Sequence, residues 1–374
     1  MYAGVTAHAS VTSFISEGQH VDCIAITEQP SVFNLGIKQI EKPPMPFTPP
    51  AGGHEPPILR ADSPLKLGLK DQFGNAISCP MHAIPMSRLA MDRLTQFPTL
   101  KHFFAKQPTG SITTLQSRGG LVPQATWDPE RKSASGHQTV INYGGNSWME
   151  LWLPVGDYSV SHQKYSGGSP LQTLEGGWTV YPQRFRTTNA VTYIHWSSGT
   201  AGCYNLDCPG FVQVNNHWYL GGGWTNYSTP QQRWGFRLQW KLIQGKWWLF
   251  LEGGPGNTYD SVGYYPTSIY GGGQLSRNAQ HIEFGGEVGR LVGDLWPQMG
   301  NGVMATSLAA AVTAASHFLI YYDPHDQDGG TGVYAVLNPQ GDLPCYSVDV
   351  FINGSLPNGS GAFIHYGGGG GNVC

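Results

Sequence analysis

The sequence predicts an all-β protein, an antiparallel β-sandwich preceded by a smaller amino-terminal unit with a proline-rich strap and one short helix. Three observations point there. Only 12% of the 374 residues are charged, while glycine reaches 51 residues and aromatics 12%, a balance that favours strands and turns. From His137 onward, short β-branched or aromatic runs such as TVINYG, SWMELWLPV, AVTYIHW, RWGFRLQWKLI, KWWLFLE and HIEFGGEV are separated by Gly, Asn, Asp or Pro. No βαβ rhythm and no repeat of roughly 20–50 residues interrupts them, so a sandwich or barrel fits better than a parallel sheet or a propeller.

The chain exceeds the size at which one core stops growing, so it divides into an amino-terminal unit at 1–106, a linker at 107–136 and the sandwich at 137–374. Residues 41–60, EKPPMPFTPPAGGHEPPILR, are proline-dense and read as an extended strap. SRLAMDRLTQF at 87–97 is the helix candidate: Ser87 can cap it, Leu89, Arg93, Leu94 and Phe97 share a face, and Pro98 stops it. The linker lacks periodicity and is rich in Gly, Pro and small polar residues. Near the end, the glycines of HYGGGGGNVC read as a flexible loop.

A net charge of −3 without clustered Lys and Arg argues against nucleic acid or anionic lipid as a partner. The most apolar run, MATSLAAAVTAASHFLIYY at 304–322, contains Thr, Ser and His and reads as buried protein rather than a membrane span. Six cysteines, at 23, 79, 203, 208, 345 and 374, suggest by their order the local pairs Cys23 with Cys79, Cys203 with Cys208 and Cys345 with Cys374, although spacing alone leaves connectivity open. Asn226, Asn353 and Asn358 head Asn-X-Ser triplets and are glycosylation candidates. Both features fit a secreted, extracellular protein, while MYAGVTAHAS itself lacks the basic start and apolar core of a signal peptide.

No G-x-S-x-G elbow, H-E-x-x-H pair, paired C-x-x-C or phosphate loop is present, so hydrolase-elbow, zincin and nucleotide chemistry lose their anchors and no metal or cofactor is expected. DPHDQDGG at 323–330 lacks the terminal Glu of a calcium loop and reads as a solvated turn. The carboxylates carry more. In a strand Glu283, Gly285 and Glu287 point to one face, with Gly285 leaving space between the acids, and LEGGW places Glu175 in a similar setting of acid, two glycines and an aromatic. Each place combines a carboxylate, backbone access and an apolar wall, as a site for a chain substrate requires. Solvent-facing acids guarding edge strands are the competing reading. His281 reads as a strand residue beside this site.

The segments EGGWTVYPQ (175–183), TAGCYNLDCPGFVQV (200–214), KWWLFL (246–251), YYP (264–266), IEFGGEV (282–288) and PQMGNG (297–302) resemble, in order, the neprosin family of glutamic endopeptidases. VDCIAITEQPSV and SCPMHAIPM are similar to the cysteine-bearing pieces of that family's activation peptide. The resemblance implies a secreted zymogen whose propeptide, residues 1–106, acts as an intramolecular inhibitor of a catalytic sandwich. It implies Glu175 and Glu287 as the catalytic pair, with Glu283 supporting. Cleavage after proline at acid pH follows from the same likeness, with Trp178 or a tyrosine as a wall of the proline pocket and Gln298 as an oxyanion partner. Pro123 or Pro129 is the expected maturation site. A monomer acting on peptide or protein substrates is expected. A noncatalytic carbohydrate-binding sandwich and a two-carboxylate glycoside hydrolase are the alternative readings.

Overall fold

The computed structural model describes residues 10–16, 18–51, 69–70, 76–89, 91–97, 99–106, 130–252, 259–291, 293–306, 314–351, 361–372 and 374. Pro123, Pro129, Asn353 and Asn358 lie outside them, whereas Asn226 sits on an exposed loop.

The amino-terminal part contains β1 (Ser10–Ser16), β2 (Gln19–Ala25), β3 (Leu69–Lys70), β4 (Ala76–Ile77) and β5 (Ala83–Ser87). Strands β1, β2 and β5 form a three-stranded sheet. The remaining strands run β6 (Glu130–Asn142), β7 (Gly144–Glu150), β8 (Ser159–Gly167), β9 (Gln172–Val180), β10 (Val191–Ser198), β11 (Ala201–Tyr204), β12 (Val212–Gln213), β13 (Gly235–Ile243), β14 (Lys246–Glu252), β15 (Tyr259–Pro266), β16 (Ala279–Arg290), β17 (Ala315–Tyr322), β18 (Val333–Tyr334), β19 (Asn338–Gly341), β20 (Ser347–Phe351) and β21 (Phe363–Gly367). They make a seven-stranded sheet, β11-β10-β9-β8-β16-β6-β19, and a nine-stranded sheet, β12-β15-β14-β13-β7-β17-β21-β20 with β18 beside β17. The named pairings are antiparallel, and the predicted sandwich is the observed fold.

Period-two alternation builds the core between the sheets. Leu174, Trp178 and Val180 of β9 and Ile282, Phe284 and Val288 of β16 point inward and join Trp240, Leu238 and Trp247 in one buried cluster. Trp224 and Trp248 are buried as well, so these tryptophans serve packing.

Several expectations need correction. Strand β6 begins at Glu130, inside the expected linker, because Glu130 to Ser135 pair with β16. The helix expected over 87–97 shrinks to a turn at Met91–Leu94. Ser87 closes β5 opposite Val21, and its hydroxyl is engaged with Tyr219 at 2.7 Å rather than capping a helix. The apolar face is nevertheless as read, since Leu89, Leu94, Phe97 and Phe103 pack together. The carboxyl-terminal glycines are held: Met299 and Trp296 bond to Gly368 and Gly371 through the backbone, and Cys345 is bonded to Cys374. Cys23–Cys79 and Cys203–Cys208 complete the expected pairs. Asp323 is no solvated turn residue, for it is buried on Lys241 at 2.6 Å.

The amino-terminal part is built into the sandwich. Ile24, Ile84 and Met86 belong to the sandwich's own buried cluster. Gln29 grips the Gln213 backbone at both ends of its carboxamide (2.8 Å each), and Gln239 does the same to Phe47 of the strap (3.0 Å each). Arg93 is buried against the Arg184 carbonyl at 2.7 Å, while Arg184 pairs with Asp207 at 2.6 Å and donates to the Phe103 carbonyl.

Candidate active site

The site lies on the outward face of the seven-stranded sheet, and the strand register determines its plan. One row across β10, β9, β8, β16 and β6 reads Val191, Thr179, Val160, Glu287, Ser133. The next reads Tyr193, Gly177, His162, Gly285, Ser135, and the third His195, Glu175, Lys164, Glu283, His137. Glu175 and Glu287 therefore stand diagonally across His162. Both immediate neighbours of His162 in its row are glycine. A Cβ at Gly177 would meet the Ser161 carbonyl, and Gly285, at φ 150°, would drive one into the Ala134 carbonyl. The two Gly-Gly pairs of the sequence thus have a double use. Gly177 and Gly285 hollow the outward face, while a Cβ at Gly176 or Gly286 would strike Trp240 and Leu238 or Met299 and Tyr366 in the core.

Lys106, at the end of the amino-terminal part, fills the hollow. Its Nζ lies 2.6 Å from Glu175 Oε2 and 3.0 Å from Glu287 Oε2, so a single ammonium touches both carboxylates. All three side chains are nearly out of solvent (8%, 3% and 8% exposed), and the Coulomb attraction is correspondingly strong. Burial opposes each charge, but the partners outweigh it. The Lys106 pKa is raised by Glu175 and Glu287, and those of Glu175 and Glu287 are lowered chiefly by Lys106.

The two carboxylates are otherwise unequal. Tyr158 donates to Glu287 Oε1 at 3.2 Å and Arg131 stands 3.6 Å from Glu287 Oε2. Among the described residues, Lys106 is the ion-pair partner of Glu175, with Lys164 acting from the neighbouring strand. His195, beside Glu175, is pushed down to about 3 by burial and stays neutral. Glu283 shares the outward face with Glu287 as expected but is tied to Lys164 at 3.1 Å, with His162 at 3.5 Å. Burial notwithstanding, those contacts hold its carboxyl well below the usual range.

Two clefts flank the pair. One, of about 560 Å³, is bordered by Glu175, Leu171, Thr173, Trp196, Ser197, the Gly199–Gly202 turn and Phe104 to Lys106. The other, of about 260 Å³, is polar, with Arg131, Lys132, His137, His281, Glu283 and Asp342 around Glu287. His281 stacks on His137 there, at 5.6 Å between ring centroids. Among the described residues, no three His, Cys, Asp or Glu side chains converge as metal ligands, and no helix is long and apolar enough to cross a membrane.

Two sequence-derived site residues lie elsewhere. Trp178 alternates with Glu175 and Gly177, so it faces the core, is fully buried and donates to the Glu150 carbonyl at 2.8 Å. It lines neither cleft, whereas Trp196, packed into the core cluster, borders the wider one. Gln298 accepts from the Val155 N–H at 3.1 Å and returns a backbone bond to Val155, which makes it a loop clasp outside both clefts. Sequence reasoning missed Lys106, Tyr158, Lys164 and His162. For the last two, the alternation in SVSHQKYSG was an available signal.

The Neprosin family model matches residues 155–369, which cover both Glu175 and Glu287. The chain belongs to the neprosin family. Membership makes it a peptidase, with peptides or proteins as substrates. Looser likenesses are to crystal structures of scytalido-glutamic peptidase. One is with a transition state analog inhibitor (10% identity, TM-score 0.32) and one with a peptide based transition state analog (9%, 0.31). Each overlap covers 64% of this chain and 100% of that one. Overlap this loose carries no functional inference.

Proposed function

We propose that this neprosin-family chain is the latent form of a glutamic endopeptidase in which Glu287 is the base and Glu175 the acid. The observation that carries the reading is the single Lys106 ammonium in contact with both carboxylates. A group that touches both acids marks the place where a water and a peptide carbonyl could each be reached.

With Lys106 withdrawn, Glu287 keeps the Tyr158 hydroxyl and the Arg131 guanidinium, both of which favour its ionised form. Glu175 keeps its burial and loses its ion-pair partner, which favours the protonated form. Glu287 then takes a proton from the attacking water, whose oxygen bonds to the peptide carbon. Glu175 gives its proton to the carbonyl oxygen. Collapse of the tetrahedral intermediate breaks the C–N bond as Glu287 passes its proton to the leaving amine and a hydroxyl of the intermediate returns one to Glu175. The pair works with one proton between two acids, so activity peaks at acid pH and falls on either side.

Preference for cleavage after proline fits the wider cleft, where Trp196 and Leu171 offer apolar surface for a pyrrolidine ring. Residues 1–106 act as the propeptide, with Lys106 as its inhibitory group and residues 107–129 as the segment to be cut. The three disulfides and the exposed Asn226 sequon fit a secreted, glycosylated monomer. Glu175→Gln and Glu287→Gln, assayed on a proline-containing peptide and on polysaccharides at acid pH, test the chemistry. Unimpaired peptide cleavage by both variants would sink it, and polysaccharide cleavage would favour the glycosidase alternative. Acid incubation followed by amino-terminal sequencing tests maturation after Pro123 or Pro129, against which an uncut chain would count.

A further inference from the structure

The residues that keep Lys106 in place include one that meets its backbone rather than its charge. Tyr204 donates its hydroxyl to the Lys106 carbonyl oxygen at 2.7 Å. We propose that in the mature enzyme this hydroxyl donates to a backbone carbonyl of the bound substrate, next to the scissile bond, making Tyr204 a substrate-binding residue for an extended peptide. The inference rests on the two-glutamate reading above and adds to it a named contact for the substrate main chain.

The geometry supports a contact built for a guest. The Lys106 side chain runs from its backbone to the dyad, so its carbonyl lies about one extended side chain from the two glutamates. That places it at a neighbouring peptide unit rather than at the reacting carbon. A substrate brought to Glu175 and Glu287 from the same cleft follows the same course, and its main chain presents the same acceptor. Lys106 belongs to the segment that has to leave. Once it has gone, the Tyr204 hydroxyl is free to donate to another carbonyl, while the neighbouring Tyr158 keeps its own proton on Glu287 Oε1 at 3.2 Å.

Tyr204 is also prepared for the task. Its ring is fully buried, with the Arg184 guanidinium 4.3 Å from its centroid and the rings of His195, Tyr193 and Phe185 at 4.9, 5.6 and 6.0 Å. The adjacent Cys203 is bonded to Cys208, which ties the strand end carrying Tyr204 to the loop that follows. A donor fixed this way loses little freedom when the acceptor arrives. Burial, only partly offset by Lys106 and Arg184, pushes the phenol up to about 12, so it remains a donor throughout the acid and neutral range. The Cys-Tyr-Asn-Leu-Asp-Cys block of the sequence acquires a use that its cysteines alone did not explain.

The test is Tyr204→Phe in the full chain, assayed after acid activation; the substitution keeps the ring and removes only the hydroxyl. The expected result is a KM for a proline-containing peptide raised roughly ten- to hundredfold, with kcat and the acid and alkaline limbs of the pH profile in place. A series of peptides carrying a thioamide, a weaker acceptor, at successive positions then locates the partner. At one position next to the scissile bond the wild type should lose affinity while Tyr204→Phe loses none. An unchanged KM, a fall in kcat at unchanged KM, or a thioamide series without such a position would overturn the proposal. Wild-type enzyme that cleaves none of the peptides would instead reject the peptidase reading, so the two failures are distinguishable. A thermal melt of both proteins separates a lost contact from lost folding.

Discussion

Two buried acids on opposite sheets, Glu150 and the proposed catalytic Glu175, differ in where their counter-charge comes from. Glu150, on β7, is as hidden as Glu175 (each 2% exposed). Its partners, the Arg233 guanidinium at 3.2 Å and the Trp152 indole at 3.0 Å, belong to the sandwich itself. Burial still outweighs them and pushes its pKa up to about 7. Glu175 and Glu287 take their strongest counter-charge from Lys106, which precedes the sandwich in the chain. Glu150 has its neutraliser within the sandwich, whereas the proposed catalytic pair has one that the proposed maturation would remove. A buried ion pair is weak evidence for stability by itself, so the origin of the partner says more than its distance.

The largest effect that would sharpen this contrast is on turnover. Glu287→Gln should lower kcat by about 10²–10⁴-fold, the usual contribution of a positioned base. Glu175→Gln should cost less, because a carboxamide can still donate a hydrogen bond to the developing oxyanion although it has no proton to give. Glu150→Gln should leave kcat within about threefold. Steady-state kinetics on a proline-containing peptide at acid pH decides, and a Glu150→Gln loss equal to that of Glu287→Gln would erase the distinction.

Next in size is stability. Lys106→Met strands two buried carboxylates and should cost about 3–5 kcal/mol at neutral pH. It should also change the pH dependence. In the wild type both glutamate pKa values are lowered, so their contribution is present above the ordinary carboxylate range and is lost as pH falls through the lowered values. In Lys106→Met burial should raise the Glu175 pKa, while Arg131 and Tyr158 still favour ionised Glu287. The Glu175 contribution would then be greatest in acid and decline as pH rises through the raised value. Denaturant melts of both proteins between pH 3 and pH 7, a span of roughly four decades in proton activity, should show stability rising less with pH in Lys106→Met than in the wild type.

Arg233→Met tests the other acid. It should lower stability by about 3 kcal/mol while leaving the uncut chain as inactive as before, since nothing it removes faces the dyad. A melt and a neutral-pH activity assay on the same sample check both halves. The smallest expected effect is for Glu283→Gln. Its contacts are to Lys164 and His162 rather than to Lys106, so KM should move by about threefold or less.

Much of this was legible in the sequence because strands write their faces in alternate residues. EFGGE gave Glu283, Gly285 and Glu287 their shared face and LEGGW a similar setting for Glu175, whereas the pairing of Glu287 with Glu175 came from the family resemblance. Alternation also held the correction to Trp178, three positions after Glu175 and hence on the opposite face. What pattern could not supply was partnership across the chain. Lys106 sits in a stretch without strand periodicity and meets Glu287 only after the sheet has closed. The helix read over 87–97 failed for a related reason: the pairing of β5 with β2 consumed Ser87 before it could cap anything. Gln298 was misread because a loop carboxamide gives no hint of which backbone it will clasp.

The grip of Gln29 on Gln213 and of Gln239 on Phe47, with Ile24, Ile84 and Met86 sunk among the sandwich's own side chains, has a consequence for how the molecule is made and stored. Severing the connection ahead of Glu130 would convert one polypeptide into a nicked pair that still migrates as one particle, because the contacts that join the halves do not run through the severed bond. The front piece then behaves as a mould left around its casting. It supplies part of the surface against which the sheets close, and on the proposed reading the casting becomes usable once the mould has been pulled away.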